Sequence, residues 1–465
     1  MADVTISRRL AERICGTCYE DFSADDLHWA RVQILDTFGA ALAGAAEQGV
    51  QILDAVVTGG LSAGPCRLFG SSRRASLLDA VLINGMACHA LDFDISNNPF
   101  YGHPAVSILS VAFNLGEMAD ASGRDVLTAY VAGFEAELKI ARGVQPRHSD
   151  LGWFPSGTIG VFGAAATAAR LLGLDADRTA QALGIAASLA SGVQANAGTM
   201  TKPLTASHAA RNGTLAALLA KGGFTSSPHA FEHKEGFLNL FNGKGNHDGA
   251  AILAGWGKPF EVVETAVGIK QYPCNGSIHA GIDVLGTLVS RHRIDPDGVE
   301  RVNAQYITSR LFHFDRPDPR TPLDAKFSVQ YVLARTLLQG GVRIEDFEGE
   351  AFREPRVRGL MKLINATVHP DTPPDLPRAE QDGVEVEVVM KDGRRFTEKA
   401  AKPYGRLPGH PLPAEKLEAK FLDCARRVLT PSAAEDVLAL VRQIDRVSMR
   451  AILDAMTARP TVATK

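Results

Sequence analysis

A mainly α-helical protein, with a large all-helical domain and an inserted smaller α+β domain, is the fold class that three features of this 465-residue chain predict. Apolar residues recur at helical spacing through the first half. Alanine and glycine crowd the stretches from Gly157 to Gly192 and from Ala209 to Ala220, and such small side chains let neighbouring helices approach closely. After about residue 270 a period-two alternation and a hairpin turn appear instead.

Taken in chain order, Leu27, Ile34, Leu35, Phe38 and Leu42 line one face of a helix, and Ser23 ahead of them offers a side-chain oxygen to its unpaired N–H groups. Leu127, Val131, Phe134 and Leu138 repeat the spacing. The most apolar stretch, from Gly157 to Val193, is broken by Arg170, Asp175, Asp177 and Arg178. It therefore lacks the ~20 unbroken apolar residues of a membrane span and reads as buried helical core. Gly157-Thr-Ile-Gly160-Val-Phe-Gly163 has neither the preceding strand nor the spacing of a phosphate-binding loop, so helix packing explains it. A further helix is predicted over Ala209 to Ala220. No α/β alternation accompanies these helices, which disfavours a Rossmann or barrel architecture.

Val302 to Phe314 mixes β-branched and aromatic residues, as strands do, and Ala325 to Leu338 has helical character. Val384-Glu-Val-Glu-Val388 alternates ahead of the Asp392-Gly393 turn and Arg395-Phe396-Thr397, which predicts a hairpin. Pro408, Pro411 and Pro413 then lead into helices over Leu417 to Val428 and Ala433 to Met449. The organisation expected is a helical domain formed by residues 1–268 and 406–460, interrupted by an α+β segment at 269–405, with the junctions a natural place for a cleft.

A composition of 45% hydrophobic and 22% charged residues with a formal net charge of -3 argues against a nucleic-acid binder, which needs a basic face. The six cysteines are scattered and no secretory leader pattern precedes them, so free thiols in a reducing cytoplasm are expected. Cys15-Gly-Thr-Cys18 has metal-ligand spacing but no second pair to complete a site.

Chemistry-bearing residues gather in a few places. Asp92-Phe-Asp94 and His103-Pro104 put two carboxylates and an imidazole on a segment rich in turn formers, either as a site loop entering a helix near Pro104 or as simple backbone caps. Asp92, Asp94 and His103 also suit a hard divalent cation, although their spacing matches no ligand signature. Lys202 falls near a helix N-terminus, where the helix dipole disfavours its charge and attracts anions. Lys270 precedes a segment carrying His279; it is either a surface lysine beside a turn or a second cation for the same site. Two neighbouring lysines disfavour each other's charge, so one serves as base while the other holds a carboxylate. No Gly-x-Ser-x-Gly elbow is present.

Gly85-Met-Ala-Cys-His-Ala-Leu-Asp-Phe-Asp94, His103-Pro104, Thr201-Lys-Pro-Leu204 with Ala209-Ala-Arg-Asn-Gly213, Lys270-Gln-Tyr-Pro273 and Lys326-Phe-Ser-Val-Gln-Tyr331 follow one another in an order that resembles the MmgE/PrpD family. That family includes 2-methylcitrate dehydratases, cis-aconitate decarboxylases and iminodisuccinate epimerases, and the resemblance runs over nearly the whole chain. It implies a helical large domain, an inserted α+β lid, a homodimer, and chemistry on a small di- or tricarboxylate without metal or organic cofactor.

The family's site residues carry over onto Asp92, His103, Lys202 and Lys270 as catalytic groups, with Ser96, Phe154, Asn275, His313 and Arg316 at substrate-binding positions. Ser96 looks like a replacement for a frequent threonine. Trp153-Phe154-Pro155 stands where many relatives have histidine, Asn275 where the decarboxylases carry histidine, and His313 where they carry tyrosine. These departures place a 2-methylcitrate dehydratase-like lyase ahead of an epimerase, with cis-aconitate decarboxylation and a non-catalytic carboxylate-binding scaffold behind. The shared chemistry implied is proton transfer beside a carboxylate: Lys202 or His103 exchanges the proton, Lys270 binds carboxylate, and Asp92 orients His103.

Overall fold

The structure, a computed structural model, describes residues 5–264, 267–377, 380–407 and 409–456. The chain divides into two compact units, Met1–Val267 with Ala414–Lys465, and Gly268–Pro413.

The principal helices of the first unit are α1 (Ile6–Gly16), α2 (Ala24–Gly44), α3 (Leu77–Ala90), α4 (Pro104–Ala119), α5 (Gly123–Val144), α6 (Gly160–Leu171), α7 (Ala176–Leu189) and α8 (Thr201–Lys221). Helix α8 packs on α3 and α6, and α6 in turn packs on α4 and α5. Ser23 caps α2 as its sequence predicts, with its hydroxyl accepting from the Asp26 N–H and the Asp26 carboxylate accepting from the Ser23 N–H. Proline opens α4 at a position where no N–H is needed. The core includes Phe38, which meets Phe69 and Phe113 edge-on at centroid distances of 5.1 and 4.9 Å.

Close helix approach is what the small residues secure. A Cβ on Gly213 of α8 would lie 2.5 Å from both the Ala164 Cβ and the Val161 carbonyl oxygen of α6, and 2.6 Å from the Ala165 nitrogen. Because two of these obstacles are backbone atoms, Gly213→Ala is expected to destabilise the protein by about 1–3 kcal/mol, as overpacking typically does. Urea unfolding of the variant beside the parent checks this.

The principal elements of the second unit are α9 (His279–His292), β1 (Val299–Ile307), α10 (Val329–Gln339), β2 (Ile364–Val368), β3 (Gly383–Met390) and β4 (Arg395–Ala400). Its sheet runs in the order β2-β1-β3-β4. The β1–β2 pair is parallel, whereas β3 runs antiparallel to both β1 and β4. Val384, Val386 and Val388 of β3 are buried while Glu385 and Glu387 between them are partly exposed, which is the alternation written in the sequence. Helix α9 covers β3 and β4.

Four boundaries differ from expectation, the first at β1, which ends at Ile307 and leaves Leu311–His313 as a 3-10 turn where strand character was expected to run to Phe314. Helix α8 starts at Thr201, upstream of Ala209, and tolerates Pro203 because a proline in the first turn breaks no helical hydrogen bond. Lys326 to Ser328 lie outside α10, since the Ser328 hydroxyl accepts from the Tyr331 N–H and starts the helix one residue later. At the C-terminus the observed helices are Ala414–Ala425 and Pro431–Arg442; a 3-10 turn at Ile444–Arg446 then separates a last short helix, Met449–Asp454. Among the described residues no helix is long and apolar enough to cross a membrane, and all six cysteines are free thiols.

Candidate active site

The site of the first unit is built where α3 ends and α4 begins. Past Ala90 the chain turns through Asp92, whose φ of 53° is left-handed and whose N–H donates to the His89 carbonyl at 3.1 Å. Aspartate is among the few side chains that enter this region readily. Eleven residues on, His103 is the cap of α4, with its backbone N–H donating to the Ser156 hydroxyl at 2.9 Å. Lys202 enters from α8 as that helix's second residue.

These three side chains converge. The Lys202 ammonium donates to Asp92 Oδ1 at 2.7 Å, and His103 Nε2 lies 3.5 Å from the same oxygen. The opposite face of the imidazole belongs to Asp94: His103 Nδ1 is 3.0 Å from Asp94 Oδ2 and 3.0 Å from the Ile95 carbonyl oxygen. Asp94 is shared, because its Oδ1 is 2.7 Å from His89 Nδ1. Asp92, Asp94, His89 and His103 are all buried.

Burial by itself would push the Asp94 carboxyl up, but the two imidazoles outweigh it and hold the group well below the usual carboxylate range. Burial lowers the His103 imidazole to about 4; the Asp94 charge opposes that shift, while His89 and Lys202 reinforce it. His103 is therefore neutral near pH 7. With two acceptors facing Nδ1, its single N–H sits there, which leaves a lone pair on Nε2 beside Asp92.

Phe154, expected at a substrate position, is buried and stacks on His89 at a centroid distance of 6.3 Å. Ser96 is half-buried at the start of the two-residue strand Ser96–Asn97. The second unit holds the remaining expected residues. Lys270 is buried, and a Cβ on Gly276 would lie 3.8 Å from its Cε and 3.9 Å from Arg406 Nη2. Asn275 caps the turn Gly276–Ile278, its side chain accepting from the Ser277 N–H, so Lys270 and Asn275 share one neighbourhood. His313 Nε2 accepts from the Arg310 guanidinium at 3.1 Å, and Arg316 pairs with Asp324 at 2.5 Å while lying over the Phe327 ring.

Three further groups support this constellation in ways the sequence did not announce. His89 lay inside the quoted motif, one turn before Asp92, and that was its only signal. Asp94 was visible as the second carboxylate, but not as the partner of two imidazoles. Lys420, from the C-terminal helix Ala414–Ala425, donates to Asp36 Oδ1 at 2.6 Å and to the Phe93 carbonyl at 2.7 Å, and so holds the backbone between Asp92 and Asp94. Nothing near Lys420 in the sequence announces that contact.

Candidate ligand atoms of His89, Asp92, Asp94 and His103 lie within 4.8 Å of one another. A divalent ion there would meet competition at the carboxylates, because Asp94 already accepts from both imidazoles and the Lys202 ammonium already neutralises Asp92. The arrangement suits proton transfer instead: a neutral imidazole and an ammonium flank one carboxylate oxygen.

Residues 8–249 match the MmgE/PrpD N-terminal domain and residues 272–446 the MmgE/PrpD C-terminal domain. Cis-aconitate decarboxylase of Homo sapiens is 29% identical over 397 residues, covering 82% of this chain and 79% of that protein. The cis-aconitate decarboxylase of Mus musculus is 28% identical over 400 residues, with the same coverage. That of Aspergillus terreus is 27% identical over 481 residues, covering 96% of this chain and 95% of the relative. With both domains matched in order along most of its length, the chain belongs to the MmgE/PrpD family.

Proposed function

We propose that this protein is a cofactor-independent lyase that moves a proton at the carbon next to a carboxylate of a small di- or tricarboxylate. The observation that carries the reading is the single carboxylate oxygen of Asp92 shared by Lys202 Nζ at 2.7 Å and His103 Nε2 at 3.5 Å. Cis-aconitate is the first substrate to test, since relatives from mammals and a fungus bear the name of its decarboxylase. In that reaction the bond to the departing carboxylate breaks, carbon dioxide leaves, and the electron pair stays on carbon conjugated with a remaining carboxylate. The Lys202 ammonium then delivers a proton to that carbon and its charge opposes the negative charge that develops there.

A second reading, dehydration of a 2-methylcitrate-like substrate, is favoured by the neutral state of His103. Its bare Nε2 is suited to removing the proton before hydroxide leaves. The homodimer is proposed with either reading, and light scattering of the purified protein checks it.

The two readings separate in one experiment. Proton NMR in D2O, with chelator present, is recorded after offering cis-aconitate, 2-methylcitrate, citrate and iminodisuccinate separately. Decarboxylation gives a product that has lost one carboxylate and carries one deuterium on the adjacent carbon; dehydration gives an alkene; epimerisation gives inversion with exchange. Silence with all four substrates would sink the proposal, and activity that returns only with added divalent ion would overturn its metal-free half.

The acid limb of kcat/KM provides a further check. A base must be unprotonated to act, and burial lowers His103 to about 4. Activity is thus expected to persist as pH falls through the ordinary imidazole value of about 6.5 and to be lost only towards 4. A limb centred near 6.5 would remove His103 from the role of base.

A further inference from the structure

The carboxylate that takes both Nδ1 atoms plays no direct part in the chemistry just described, yet its geometry constrains that chemistry. Asp94 is fully buried, with Oδ1 2.7 Å from His89 Nδ1 and Oδ2 3.0 Å from His103 Nδ1, and the two rings lie 4.2 Å apart between centroids. An ionised carboxylate only accepts hydrogen bonds, so each ring must present an N–H to it. The surroundings agree. The Ile95 carbonyl, a second pure acceptor, faces the same nitrogen of His103. His89 Nε2 is buried with no hydrogen-bond partner among the described residues, and an orphaned lone pair there costs less than an orphaned N–H would.

We infer that Asp94, with His89 as its second donor, is the positioning residue that locks His103 in the tautomer whose bare Nε2 lies beside Asp92 and Lys202. Asp94 touches no reacting atom. It acts by deciding which nitrogen is basic and by holding that nitrogen in place, and its charge steadies the imidazolium once Nε2 has taken a proton. His89 completes the arrangement: its donated hydrogen bond fills the other oxygen, so that Asp94 has no reason to turn away from His103. Phe154 backs His89 by stacking on its ring.

The test reads tautomers directly. In protein with 15N-labelled histidine, long-range 1H–15N correlation spectra distinguish Nδ1–H from Nε2–H rings, and His89→Asn and His103→Asn variants assign the two signal sets. Both rings are expected to be Nδ1–H in the parent protein. Asparagine at position 94 offers one acceptor oxygen and a donating amide, so it cannot present an acceptor at both positions where the rings now meet Oδ1 and Oδ2. In Asp94→Asn at least one ring is therefore expected to switch tautomer. The same variant should lose kcat on the order of 10²–10⁴-fold with KM nearly unchanged, the split of a misplaced base rather than a damaged binding site.

An Nε2–H signal for His103 in the parent, or unaltered tautomers and kcat in Asp94→Asn, would overturn the inference. Should Asp94→Asn fail to fold, the parent spectrum still decides. The kinetic half rests on the proton chemistry proposed above, whereas the tautomer half does not; absence of turnover with every polycarboxylate would fail the proposed function and leave the spectra to judge Asp94.

Discussion

In a His103→Asn variant, kcat/KM for the preferred polycarboxylate is expected to fall about 10²–10⁴-fold, the usual worth of a positioned acid or base, with little change in thermal stability. Asparagine is the informative replacement because its amide nitrogen sits where Nδ1 does. The hydrogen bond to Asp94, now 3.0 Å from Nδ1, has a donor to continue with, and no buried carboxylate is left stranded. Only the lone pair at Nε2 disappears. Steady-state kinetics and a melting curve on the same preparation separate the two effects. Activity within about tenfold of the parent would reassign proton exchange to Lys202 alone, whereas a collapse in stability would mean that the imidazole is chiefly structural.

Replacing Lys420 by methionine is expected to have the largest effect on stability, about 3–5 kcal/mol, although it lies outside the constellation that does the chemistry. Methionine keeps the packing of the aliphatic stem but removes the ammonium. The Asp36 carboxylate, with 0% side-chain exposure, then loses its counter-charge, and breaking a buried pair by removing one partner costs far more than the pair contributes net. Two further contacts go with it: the hydrogen bond to the Phe93 carbonyl at 2.7 Å and the ammonium's place 3.8 Å from the Phe93 ring centroid. The chain between Asp92 and Asp94 would lose its anchor, so activity at a permissive temperature should fall as well.

Urea unfolding of Lys420→Met, Asp36→Leu and the double variant forms a cycle. Recovery of most of the stability in the double variant is the expected result, because it removes both buried charges. A double variant as unstable as Lys420→Met would show that the lysine acts through the Phe93 carbonyl and packing, not through charge.

How far the sequence carried depended on how far along the chain each interaction reaches. The cap of α2 at Ser23, the start of α4 at Pro104 and the Asp392-Gly393 hairpin lie within a few residues of their causes, and all were legible. The early start of α8 and the break after Arg442 were not, because the residues there tolerate more than one backbone state. Asp92, His103 and Lys202 were legible as chemistry through the order of the motifs, and the structure brings those three together.

By itself, then, the sequence determined the fold class and the family and named candidate groups for proton transfer, since periodicity, caps and motif order are local and survive in a one-dimensional string. Only the tertiary structure decided which carboxylate serves which cation. Asp92 and Lys202 stand 110 positions apart and Asp36 and Lys420 stand 384 apart. Nothing in the string favours Asp94 over Asp92 as the acceptor for His103 Nδ1. That choice follows from the left-handed turn at Asp92, which sends two carboxylates separated by a single residue to opposite sides of one imidazole.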